Sequence, residues 1–267
     1  MKFITKPSPT DVRDSIYKND STEVLREFVD LREWDSIIES QYQLGSCASN
    51  ALTNAYELSV IREYPEYFTE LSRLFIYYNT RAEYGNVLED DGMFLRDGMK
   101  SLKKFGVCSE QLWPYDIEKF DDEPTVECYN DAEKRKIVKY QRILSIYYIT
   151  QVLNNNKPVV FGMEIYESFM DLNERTSTVT FPSRKEKSLG GHGMCMVGYD
   201  LRKKLFLVKN SFGSDWGAGG YCWIPFDYIR QEGYDIWTFD IPNQPGDLNV
   251  LSETLPILPL LQQRVLL

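Results

Sequence analysis

A change of hydrophobic period near residue 157 constrains this chain more than any other feature. Up to Asn154 the apolar residues recur at helical spacing, whereas from Lys157 onward they fall into short, bounded runs rich in β-branched and aromatic residues. The first pattern predicts helices over about 46–62, 68–84, a stretch ending at Phe105, 131–140 and 145–154. Leu71, Leu74, Phe75 and Tyr78 mark one face of the second helix, and Gly106 stops the third. Residues 107–129, with Pro114 and Pro124, read as a loop. The second pattern predicts strands over 157–166, 192–199, 205–209, 220–225 and 235–241. Helices first and strands second predict an α+β fold of two lobes rather than an alternating α/β sheet. Residues 1–28, polar and carrying Pro7 and Pro9, read as an arm that wraps or dangles. The globular pattern runs over 29–243. An apolar, proline-broken tail follows over 244–267, too short to span a membrane.

Charge and cysteine usage exclude several functions. Forty acidic residues against thirty basic ones give a net charge of −10, which argues against nucleic acid as the main partner. No run of 18 apolar residues occurs and Met1–Thr10 lacks a signal-peptide core, so no membrane insertion is expected. Five cysteines, an odd and scattered number, suit free thiols in a reducing compartment, and a cytoplasmic location is expected. One histidine and no closely paired cysteines leave nothing with zinc-site spacing. The glycines of LGGHG and WGAGG match neither a phosphate loop nor a dinucleotide fingerprint. Neither a metal nor an organic cofactor is implied.

Chemistry concentrates in three places. In QYQLGSCA, residues 41–48, Cys47 follows a Leu-Gly-Ser turn and opens an apolar, helix-prone run. A thiol at a helix start lies in the field of unpaired N–H groups, which favours the thiolate. Gln41 could donate to an oxyanion formed beside it. Taken alone, Cys47 reads as a buried helix-capping residue. His192, the only histidine, lies among the glycines of LGGHGMCMVGYD and enters a strand. A lone histidine is more often structural than catalytic. Asn210 ends the next strand, where a return strand would set it beside the imidazole. It is either an orienting group or a turn residue. Phe212 and Trp216 could roof that pair or fill core.

Together, Gln41, Cys47, His192 and Asn210 resemble the catalytic set of the papain-like cysteine peptidases, in which His and Asn follow the cysteine by roughly 130–150 residues. His192 falls inside that window and Asn210 slightly beyond it. The stretches GGHG, KNSFGSDWGAGGY and GVCSEQLWPYD add to the resemblance, which covers about 29–241. The chain departs from the family at Leu44, where secreted members carry a disulfide cysteine. It departs again at Ala48, in place of an aromatic, and at Phe212, in place of the shielding tryptophan. These departures resemble a bacterial, archaeal or large-virus branch.

The resemblance implies a papain-like fold with a helical lobe, an antiparallel β lobe and a cleft between them. It implies a cysteine endopeptidase acting on peptide or protein substrates, with Cys47 as nucleophile, His192 as its partner, Asn210 orienting His192, and Gln41 with the Cys47 N–H as oxyanion hole. Substrate contacts are expected at Gly45, Ser46, Gly92, Met93, Gly191 and Trp216, with Gly191 lining the pocket for the side chain two residues before the cut. The arm is far shorter than the family's inhibitory propeptides. It is therefore expected to strap the domain and leave the full-length protein active. Two alternatives share these residues: an inactive papain-like binding protein, and an acyl transferase passing the same acyl group to an amine. Oligomeric state is not legible.

Overall fold

The structure, a computed structural model, describes residues 1–19 and 23–243. The tail expected over 244–267 lies outside the described residues. The chain forms β1 (Phe28–Asp30), α1 (Cys47–Glu63), α2 (Arg73–Ala82), α3 (Leu95–Lys104), α4 (Val126–Ala132), β2 (Lys139–Arg142), α5 (Ile146–Asn154), β3 (Val159–Tyr166), α6 (Glu167–Met170), β4 (Ser188–Asp200), β5 (Leu205–Lys209), β6 (Tyr221–Pro225), α7 (Phe226–Glu232) and β7 (Gly233–Asp240). The α+β, papain-like arrangement expected from the sequence is present. The strands form one antiparallel sheet in the order β2-β7-β3-β4-β5-β6, and β1 also pairs with β4.

Helix α1 is the axis of the helical lobe. Residues 47–60 are all buried, so it is covered on every side instead of presenting one apolar stripe to a core. It packs on α2 and α3 on one side and on β3 and β4 on the other. Its buried Glu57 accepts from the Leu71 amide, which ties the approach to α2 onto α1.

The helix expected over 131–140 is corrected. Helix α4 ends at Ala132, a single 3₁₀ turn covers Glu133–Arg135, and the chain leaves it extended into β2, paired with β7. Ile137 is buried and Tyr140 stacks edge-on against Trp237, so cross-strand packing overrides the helix propensity of the charged residues before them. The helix expected from residue 68 begins at Arg73, capped by Ser72, whose hydroxyl accepts from the Phe75 amide. Strand β4 starts at Ser188, ahead of the expected His192, and α7 fills a stretch that had no predicted element.

Candidate active site

The site forms where the N-terminus of α1 meets the first half of β4. Cys47 is the first residue of α1, and the Ser46 side chain makes no capping bond at that end. The Sγ atom therefore faces backbone donors, and the Gly193 amide donates to it at 3.4 Å. A side chain at Gly193 would stand 3.0 Å from the Ala48 Cα, so a glycine there lets the strand lie against the helix start. The same crowding explains the small Ala48.

His192 Nε2 and Asn210 Oδ1 are 2.7 Å apart. The Asn210 Oδ1 also accepts from the Ser211 amide at 2.8 Å, which leaves the oxygen turned to the imidazole. With Nε2–H given to Asn210, Nδ1 carries the lone pair, and among the described residues it has no hydrogen-bond partner. Phe212 lies 4.8 Å from the imidazole centroid, tilted by 34°, and Phe169 lies at 6.0 Å. Apolar rings therefore shield the pair from one side.

The Gln41 side chain is fixed at both ends. Its Oε1 accepts from the Ser211 hydroxyl at 2.8 Å, and its Nε2 donates to the Leu44 carbonyl at 3.0 Å. An amide nitrogen has two hydrogens, so one remains for an oxyanion. The Gln41 backbone is held as well, by the Ser211 carbonyl at 2.9 Å and the Tyr115 hydroxyl at 3.0 Å.

The expected substrate contacts divide. Gly45 and Gly92 stand against Ile4 of the arm, and Gly191 against the Thr5 carbonyl. Ser46 is buried with its hydroxyl on Tyr115 and Asn50. Met93 is buried with its methyl end against Gly98. Trp216 stands behind Phe212 and Phe169, its indole N–H donating to the Phe169 carbonyl at 3.1 Å. The side chains of Ser46, Met93 and Trp216 are buried with the arm in place.

The arm was expected to strap the domain and leave the full-length protein active; its first residues lie across the site itself. The Thr5 hydroxyl shares a hydrogen bond with Cys47 Sγ at 3.1 Å. The Thr5 amide donates to the Gly191 carbonyl at 3.1 Å, and Ile4 bridges Gly191 in parallel register. A side chain on Gly45 or Gly92 would meet Ile4 at 2.7 or 2.9 Å, and Phe3 packs edge-on against His192 at 5.5 Å. Composition alone could not show this, because a polar segment that docks on glycines has no apolar periodicity to betray it.

Burial opposes an ion pair at the covered site. Both Cys47 and His192 are fully buried. Burial pushes the thiol upward against the hydrogen bonds that favour the thiolate, and it pulls the imidazole down to about 4 despite the Asn210 bond. With the arm in place, burial thus favours the neutral form of both groups.

Three supports were missed in the sequence. Buried Lys209 pairs with Asp35 at 2.9 Å and donates to the Ser36 carbonyl, which pins β5 immediately before Asn210. Ser211 holds both Asn210 and Gln41, and Tyr234 reaches the arm's Thr5 carbonyl at 2.8 Å. A lysine ending a strand, or a tyrosine far along the chain, carries no local signal of that kind.

The chain is similar to known proteins over most of its length. The model of the papain family cysteine proteases matches residues 25–233. An uncharacterized peptidase C1-like protein of Acanthamoeba polyphaga mimivirus is 39% identical over 233 residues, covering 83% of this chain and 75% of its own. Bovine cathepsin S is 26% identical over 242 residues, covering 87% and 69%. The crystal structure of xylellain, a cysteine protease from Xylella fastidiosa, superposes with a TM-score of 0.82 at 32% identity, covering 90% of this chain and 96% of its own. A digestive procathepsin L 3 of Tenebrio molitor shares the fold, with a TM-score of 0.68 at 20% identity. The chain belongs to the papain family of cysteine peptidases.

Proposed function

We propose that this protein is a cysteine endopeptidase that cleaves peptide bonds through Cys47, His192 and Asn210, and that its arm holds the resting form closed. The observation that carries the catalytic reading is the 2.7 Å bond between His192 Nε2 and Asn210 Oδ1, which reserves Nδ1 for Cys47 at a helix start. When the arm leaves, water reaches both groups and the burial penalty falls. The proton then moves from Sγ to Nδ1, and the α1 N-terminus and the Gly193 amide stabilise the thiolate. The thiolate attacks the scissile carbonyl, and the oxyanion is held by Gln41 Nε2 and the Cys47 N–H. The imidazolium protonates the leaving amine as the C–N bond breaks, leaving a thioester on Cys47. Water attacks that thioester, His192 takes its proton, and the acid leaves as the thiol is restored. Substrates are peptides or proteins. Five unpaired, buried cysteines support a reducing, cytoplasmic setting.

The same chemistry explains why the arm is not a substrate. The leaving amine must face His192, so the N-terminal part of a substrate lies on the far side of Cys47. In the arm the N-terminal Phe3 is the residue against His192, and Ser8 lies toward Asp235. The arm thus runs opposite to a substrate. Its Thr5 carbonyl is taken by Tyr234 and not by Gln41. The test is peptide cleavage by full-length Ile4→Asp protein, in which the arm is dislodged. Activity should vanish in the added Cys47→Ala change and fall on the order of 10²-fold in kcat in the added Gln41→Ala change. A folded, opened chain that cleaves no member of a mixed peptide library would refute this reading.

A further inference from the structure

Strand β7 breaks its regular pairing beside the nucleophile. Val160 faces Trp237, but Gly162, two residues on, faces Tyr234, three residues back. The extra residue makes a bulge, and Asp235 within it takes a left-handed φ of 49°. Bulges beside active sites re-aim side chains, and this one lays the Tyr234 ring over β3. A side chain at Gly162 would stand 2.4 Å from the ring, and one at Gly191 would stand 2.0 Å from the hydroxyl. Two neighbouring strands thus both carry glycine where the tyrosine passes.

The place it fills has a definite chemical address. It borders Gly191, whose carbonyl accepts from the Thr5 amide, and Tyr234 meets the arm at Thr5, further along the arm than Phe3, the residue packed against His192. By the argument on the leaving amine, that is the acyl side of the cut. The Tyr234 hydroxyl donates at 2.8 Å to the backbone carbonyl of Thr5, the residue seated on the nucleophile. Burial holds its phenol far above the ordinary range, so it remains a donor.

We infer that Tyr234 is a specificity-determining residue: its ring closes the acyl-side pocket beside Gly191 to all but small side chains, and its hydroxyl holds a backbone carbonyl of the bound peptide. This rests on the proteolytic reading above and deepens it. The enzyme selects peptides with glycine, alanine or serine at the second residue before the cut. It rejects leucine, phenylalanine and arginine there, because Gly162 behind the ring and the bulge beneath it give the ring a fixed seat.

The test uses full-length Ile4→Asp protein and two peptides identical except for alanine or phenylalanine at that position. The alanine peptide should have a kcat/KM at least about tenfold higher. Tyr234→Ala should remove or reverse that preference. Tyr234→Phe keeps the ring and should keep the preference while raising KM for both peptides by about tenfold, the loss expected from one hydrogen bond. A preference for phenylalanine in the Tyr234 protein, or one unchanged in a folded Tyr234→Ala protein, would overturn the assignment. Calorimetric binding of both peptides to the Ile4→Asp, Cys47→Ala chain separates this inference from the hydrolytic reading. Tighter binding of the alanine peptide, with no cleavage of either peptide by the Ile4→Asp chain that keeps Cys47, would sink proteolysis and support the pocket. Binding of neither peptide, or equal binding of both, would overturn the pocket.

Discussion

The two halves of the N-terminal arm are held by different physics. Residues 14–17 run alongside β2. The Arg142 amide donates to the Ser15 carbonyl and the Tyr17 amide to the Arg142 carbonyl, each at 2.8 Å, and Asp14 lies 3.4 Å from both Arg96 and Arg142. Nearby, the Ser8 amide and hydroxyl both donate to the buried Asp235 carboxylate, and Arg96 donates to the Pro9 carbonyl. Residues 2–5 instead rest on glycines, the apolar side chains of Phe3 and Ile4, the Thr5 contacts and an ion pair between Lys2 and Asp90. Buried polar bonds are costly to break singly, whereas an apolar wedge on open backbone comes away with little left unsatisfied. The far half is an anchor and the near half a plug. The anchor keeps the plug at high local concentration over the site.

Changes at the two halves should separate opening from stability. Ile4→Asp places a carboxylate between Gly45 and Gly92, next to Asp90, where desolvation and like charge both oppose closure. Peptidase activity of the full-length protein should rise by two to three orders of magnitude while the melting temperature barely moves.

Proton linkage sharpens the comparison at the plug. In the wild type, opening moves a proton from Sγ to the imidazole and takes none from solvent, so opening should be nearly flat between pH 7 and pH 4. In Cys47→Ala that internal donor is gone. The covered imidazole has a pKa of about 4, and a hydrated one about 6.5. The closed form's advantage is therefore complete above about pH 6.5 and is lost as the pH falls toward about 4. Opening of Cys47→Ala, followed by a dye on the N-terminus, should rise by up to about 10²-fold over that range. An equally steep rise in the wild type would refute the neutral pair.

Ser8→Ala acts on the anchor. It strips one donor from a buried carboxylate, at a cost of about 1–3 kcal/mol. The melting temperature should drop by a few degrees, with activity rising less than about tenfold because Asp14–Tyr17 still hold the arm. The smallest effect belongs to Lys2→Ala. The Lys2 side chain is 54% exposed, and its pairing with Asp90 should change activity by less than about twofold.

The legible and illegible parts of this molecule differ in range. Cys47, Gln41, His192 and Asn210 could be read because each sits in a local pattern: a helix start, a turn, a glycine-flanked strand entry, a strand end. The two-lobe order was legible because helical and strand periods do not mix along the chain. Tyr234 could not be read, since a β-bulge and two glycines on other strands bring it to the site. Residues 136–140 were misread because the burial of Ile137 and the Tyr140–Trp237 contact depend on a strand nearly a hundred residues later. The plug was misread for a related reason. Phe3, Ile4 and Thr5 form no periodic element, and several of their partners are glycines whose only signal is the absence of a side chain.

The central claim is that Cys47 is covered and neutral at rest and becomes a reactive thiolate once the plug leaves. Peptide mapping after partial iodoacetamide labelling at mildly acidic pH tests it directly, in wild-type and Ile4→Asp proteins side by side. Cys108, Cys128, Cys195 and Cys222, all buried and unpaired, serve as internal controls. The account predicts that Cys47 labels as slowly as the controls in the wild type and far ahead of them in Ile4→Asp. Labelling of wild-type Cys47 as fast as in Ile4→Asp would contradict the closed resting site, and slow labelling in both would contradict the ion pair.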